Sequence, residues 1–153
     1  MTALEVRTGT DPSPLAQVLQ LCARGATGEV VGVAGNLEVL ISLQGGRLAW
    51  ATSNTERRLF TRVLLETTRL RTEVVDALDE AGSRQRGQLA QALVLQGHAS
   101  MAQVRTALRV ELETVLEVLR RAPQVHTLFV PRTTGSCPVG LTFAPGGLEF
   151  DWA

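Results

Sequence analysis

The fold is decided by the run Gly28-Glu29-Val30-Val31-Gly32-Val33-Ala34-Gly35-Asn36-Leu37-Glu38-Val39-Leu40-Ile41-Ser42-Leu43-Gln44-Gly45-Gly46-Arg47-Leu48-Ala49-Trp50-Ala51. Two segments rich in β-branched and apolar residues, Gly28 to Val33 and Leu37 to Leu43, flank the hairpin-type turn Gly35-Asn36. Gln44-Gly45-Gly46 makes a second turn, and Arg47 to Ala51 follows as a third short segment. The pattern predicts three antiparallel strands in a meander with one face packed on a helix. Gly28, Gly32 and Gly35 do not follow the phosphate-binding order Gly-x-Gly-x-x-Gly, and no helix opens directly after them, so no nucleotide loop is expected there.

Upstream, Met1 to Asp11 reads as a polar lead-in. Ser13 is placed to cap a helix with Pro14 at its first position. Leu15, Val18, Leu19 and Cys22 repeat on one helical face, and Gly25 stops the run.

Downstream the period is helical from Thr55. One helix carries Leu59, Phe60, Val63 and Leu64 and breaks at Thr67-Thr68. A second carries Leu70, Val74, Ala77 and Leu78 and ends at Gly82-Ser83. A third carries Leu89, Leu93 and Val94 and ends at Gly97. The fourth starts at Ser100, carries Val104, Leu108, Leu112, Val115, Leu116 and Leu119, and stops at Ala122-Pro123. A shift of 30 residues superposes Leu59 on Leu89, Val63 on Leu93, Leu64 on Val94, Leu65 on Leu95, Val74 on Val104, Ala77 on Ala107 and Leu78 on Leu108. This predicts two copies of a helical hairpin. Val125 to Val130 alternates and reads as a strand. Leu141-Thr142-Phe143 and Leu148 to Trp152 read as a hairpin around Ala144-Pro145-Gly146-Gly147, or as a tail that docks on a partner.

The fold class expected is therefore α+β: an N-terminal helix on a small antiparallel meander, then two helical hairpins and C-terminal strands. The expected organisation is one domain over residues 1–131, with a sheet part at about 14–52 and a helical part at about 55–122. Residues 132–153 form a C-terminal hairpin or tail.

The 153 residues carry 15 basic and 15 acidic side chains, and every basic one is arginine. With 44% hydrophobic and 20% charged residues the chain can bury a core and is not a disordered segment. Zero net charge argues against a general nucleic-acid binder and against a polybasic membrane anchor. No run is long enough to span a membrane, and the N-terminus lacks the apolar core of a signal peptide, so a soluble cytoplasmic protein is expected.

Chemistry is sparse. Cys22 sits in an apolar helical pattern and Cys137 in a Gly-Ser-Cys-Pro turn. With His98 and His126 isolated, the four-ligand spacing of structural zinc is missing. Ser136 and Cys137 lie near no histidine in sequence, so no nucleophile–base pair is read. Asp76 and Glu80, or Glu113 and Glu117, stand at i,i+4 and read as solvated helix faces. Arg57-Arg58-Arg62 and Arg105-Arg109 are interleaved with Glu56, Glu66, Glu111 and Glu113 and read as surface ion pairs. No cofactor, metal or catalytic residue is expected, and the chain is not read as an enzyme. Arg105, Arg109, Trp50 and Trp152 are the residues expected on an interaction surface.

The order of segments resembles the bacterial PATAN domain, named for the N-terminal part of the PatA regulator. The helix Leu15-Ala16-Gln17-Val18-Leu19-Gln20-Leu21 is similar to that family's "LxxLLQLL". Thr27-Gly28-Glu29-Val30 is similar to its "TGxLxV", and Gly46-Arg47-Leu48-Ala49-Trp50-Ala51 to its "GxIxxA". Leu89 to Ser100 with Val104, Ala107 and Leu108 resembles its "LGxLLVExGxIS" hairpin, and Leu128-Phe129-Val130 its closing strand. The likeness covers about residues 14–131. It implies a non-catalytic protein–protein adaptor in bacterial signalling, linked to motility and type IV pili. Expected partners are a response regulator, a GTPase, a motility component or a second copy of the chain; neither membrane nor nucleic acid is expected.

The helical part is also similar to the N-terminal domain of type II secretion and pilus assembly ATPases, some of which bind cyclic di-GMP. The family's positions fall on Gln88, Leu89, Ala90 and Glu111, where its arginine, glycine and glutamine are absent. Arg86 could slip into register, and Glu111 would repel a phosphate. A cyclic di-GMP sensor is thus the alternative expectation, and a DNA-binding regulator using Arg105 and Arg109 a weaker one.

Overall fold

The computed structural model describes residues 5–7 (backbone), 13–81, 85–135 and 137–152. The expected stop at Gly82-Ser83, and Ser136, fall outside them, as does most of the expected lead-in.

Strand β1 (Glu5–Arg7) precedes helix α1 (Pro14–Ala23). The Ser13 side chain accepts the Ala16 N–H at 3.2 Å, Pro14 occupies the first turn, and Gly25 leaves the helix at φ 70°. These are the local start and stop signals acting as expected. The meander follows as β2 (Gly28–Ala34), β3 (Leu37–Gln44) and β4 (Arg47–Ser53). Gly35 turns at φ 60°, and Gly45 and Gly46 at 58° and 79°, the positive angles that two-residue hairpins require.

Helices α2 (Leu59–Thr67), α3 (Thr72–Glu80), α4 (Arg86–Leu95) and α5 (Met101–Arg121) come next, and β5 (His126–Pro131) closes the sheet. The strand order is β1-β5-β2-β3-β4, antiparallel throughout. The sheet is therefore larger than the expected meander. Glu5–Arg7 pair with β5 at one edge, and β5 inserts between β1 and β2, with Phe129 opposite Val30.

Register assigns the sheet faces. Val30, Ile41, Ala51 and Phe129 share one face. A Cβ on Gly32, on that face, would meet Leu119 of α5 at 3.2 Å, and Thr127 there donates its hydroxyl to the Gln17 side chain of α1. Helices α1 and α5 thus cover this face. Helix α5 is the longest, 21 residues, opened by a Ser100/Gln103 capping box and closed by Arg120 and Arg121 in its last turn. Its Val104, Leu108, Leu112, Val115 and Leu116 are fully buried.

The expected duplication does not survive as two equivalent hairpins. Leu78 and Leu108 are both buried, but Ala77 is exposed where Ala107 is buried. Leu65 and Leu95 coincide only in being exposed, at 42% and 76%. The reason is position: α5 lies against both α2 and the sheet, whereas α3 buries only Leu78.

The C-terminal segment is neither a hairpin nor a separate tail. Val139–Leu141 and Pro145–Gly147 are single 3-10 turns, and the one strand-like contact is a mutual backbone pair between Phe143 and Leu48, at 2.7 and 2.8 Å. Phe143 gives its backbone N–H and carbonyl to Leu48 of β4, so the 141–143 segment pairs with the sheet edge and not with 148–152. Leu141, Phe143 and Leu148 join the same buried cluster that begins at Leu15. Among the described residues no helix is long and apolar enough to cross a membrane.

Candidate interaction surface

Three of the four residues expected on a contact surface are engaged by the C-terminal segment. Arg105 donates to the Gly140 and Thr142 carbonyls at 3.0 and 3.1 Å, with its guanidinium 4.1 Å from the Phe143 ring centre. Arg109 bridges Glu113 at 3.4 Å and Glu149 at 3.6 Å. Trp152 donates its indole N–H to the Pro145 carbonyl and meets Phe150 edge-on at 5.1 Å. Trp50 is a correction: at 1% exposure it is core, and no partner could touch it without unfolding β4. Its indole N–H has no hydrogen-bond partner among the described residues, a cost of about 1–3 kcal/mol that its packing must offset.

The residues aligned with a nucleotide site form something else. Arg86 donates from Nε and Nη2 to the two carboxylate oxygens of Glu111 at 3.0 and 3.2 Å, and lies 4.6 Å over the Phe60 ring. Both side chains are buried. Burial pushes the Glu111 carboxyl up to about 7, and the Arg86 guanidinium opposes the rise. Gln88 is exposed, Leu89 half-buried and Ala90 buried. Glu111 therefore neutralises Arg86 inside the molecule, a pairing that residues 25 apart in sequence do not announce by any local period.

Other charges are similarly spent. Arg58 bridges Asp79, Arg62 bridges Glu56, Arg120 and Arg121 share Glu117, and Arg132 bridges Glu29. Arg47 holds the Thr142 hydroxyl and carbonyl at 2.7 and 3.0 Å. Glu113 accepts the Glu149 N–H at 2.6 Å, and Asp76 and Glu80 are exposed.

The remaining titratable groups are poorly placed for chemistry. Burial raises both thiols, Cys22 and Cys137, to about 11, which keeps them protonated and unreactive at neutral pH. His98 is half-buried in the α4–α5 turn, and His126 is exposed at the start of β5. Among the described residues no three His, Cys, Asp or Glu side chains stand together as metal ligands would.

Besides a groove of about 350 Å³ between α1 and the sheet, lined by Gln17, Gln20, Val30 and Phe129, two more stand out. One, about 530 Å³, runs between β3–β4 and the end of α3, with Glu38, Asp79 and Glu80 facing Arg57 and Arg86. The other, about 450 Å³, lies on α5 beside Glu149 and Phe150, with Val110, Thr114 and Val118 along it. The first mixes both signs, and the second is lined by Glu113, Glu117 and Glu149 against Arg121 alone.

No protein-family model, curated protein or solved structure matches this chain.

Proposed function

We propose that this chain is a non-catalytic protein–protein interaction module of bacterial signal transduction, of the PATAN kind, acting in the cytoplasm and in the motility or type IV pilus context of that family. The observation that carries the reading is the consumption of arginine within the molecule. Arg86 is locked on Glu111, Arg105 is held by the Gly140 and Thr142 carbonyls, and Arg109 bridges Glu113 and, at the surface, Glu149. A protein that took phosphates from a nucleotide or from DNA would hold such side chains toward solvent. The element order supports the family reading: a capped helix, a meander, four helices and a closing strand beside β2.

Cyclic di-GMP sensing is the competing reading, and calorimetry separates the two. Titration of the purified chain with cyclic di-GMP to millimolar concentration is expected to give no saturable heat. Co-purification from the native host under mild conditions is expected to enrich a response regulator, GTPase or motility component. Saturable heat with the dinucleotide, or the absence of any such protein in repeated purifications, overturns the proposal.

A further inference from the structure

We draw no further inference here: the strongest candidate, the groove on α5 lined by Val110, Thr114 and Val118 beside Phe150, has an acidic rim whose Glu113, Glu117 and Glu149 are each paired with Arg109, Arg120 or Arg121 of the same chain, so nothing in the structure shows what covers it.

Discussion

Arg86 on α4 and Glu111 on α5 meet as a two-point ion pair at 3.0 and 3.2 Å, with side-chain exposures of 7% and 1%. Helix α4 otherwise buries only Gly87, Ala90 and Leu93, so this pair and its stacking on Phe60 are a large part of what fixes the helix. Removing one partner strands the other charge in the core. Arg86→Met alone, or Glu111→Leu alone, is expected to cost about 3–5 kcal/mol in urea unfolding at mildly alkaline pH, whereas the double variant should recover most of that loss. Additive losses in the double variant would show that the two residues act separately.

The same carboxyl gives a pH signature. Burial raises Glu111 from 4.5 to about 7. Between those values the folded state holds a proton that the unfolded state has released. The contribution of this group to stability therefore grows as pH falls from 7 toward 4.5, and is lost as pH rises through 7. Urea unfolding at about pH 5 and about pH 7.5 isolates the effect when wild type and Glu111→Gln are compared. The wild type should gain on the variant toward acid. Parallel pH slopes would mean that Glu111 does not titrate in this window.

Local signals were readable in the sequence where one turn of chain suffices to make them. Ser13, Pro14 and Gly25 bound α1, Gly35 and Gly45-Gly46 set the hairpins, and Ser100 opens α5. The place of β5 was not readable, because pairing His126 with Val33 joins residues far apart in sequence and leaves no local period. The 30-residue repeat was over-read for a related reason. Apolar spacing reports a face but not what covers it, so Ala77 and Ala107 look alike and differ in burial. Arg105 and Arg109 were visible as basic residues. Their acceptors, the Gly140 carbonyl and Glu149, come from the segment whose local pattern reads as a hairpin or tail, and local pattern does not say that it folds back on α5.

Two turn glycines separate backbone strain from close packing. Gly35, at φ 60°, has nothing within reach of an added Cβ. Gly46, at φ 79°, would place a Cβ 2.5 Å from the Cys22 carbonyl oxygen at the end of α1, and its N–H donates to the Ala26 carbonyl at 3.0 Å. Gly35→Ala is expected to cost about 1–2 kcal/mol, the conformational term alone. Gly46→Ala should cost clearly more, because the hairpin must also move off α1. Thermal unfolding of the two variants checks the order, and equal losses would show that the turn yields freely.

The C-terminal segment is held by side chains more than by a ladder, and Arg105 is its principal anchor. The Gln44 amide donates to the Cys137 carbonyl and accepts its N–H at 2.6 and 3.1 Å, and Arg47 grips Thr142 from the β4 side. Arg105 grips Gly140 and Thr142 from the α5 side and stacks on Phe143. Arg105→Ala removes two charged hydrogen bonds and the stacking contact, together about 2–3 kcal/mol. Arg105→Lys keeps the charge but loses the planar fork, so it should rescue only part of that loss. The loss should be local first. In hydrogen exchange, the amides of Phe143 and Leu48, which bond each other's carbonyls, should exchange faster in Arg105→Ala. The amides that pair β2 with β3 should keep their protection, because Phe143 bonds Leu48 of the edge strand β4, whereas β2 and β3 bond each other inside the sheet. Unchanged exchange at Phe143 would mean that Gln44, Arg47 and the buried Leu141 and Leu148 hold the segment without Arg105.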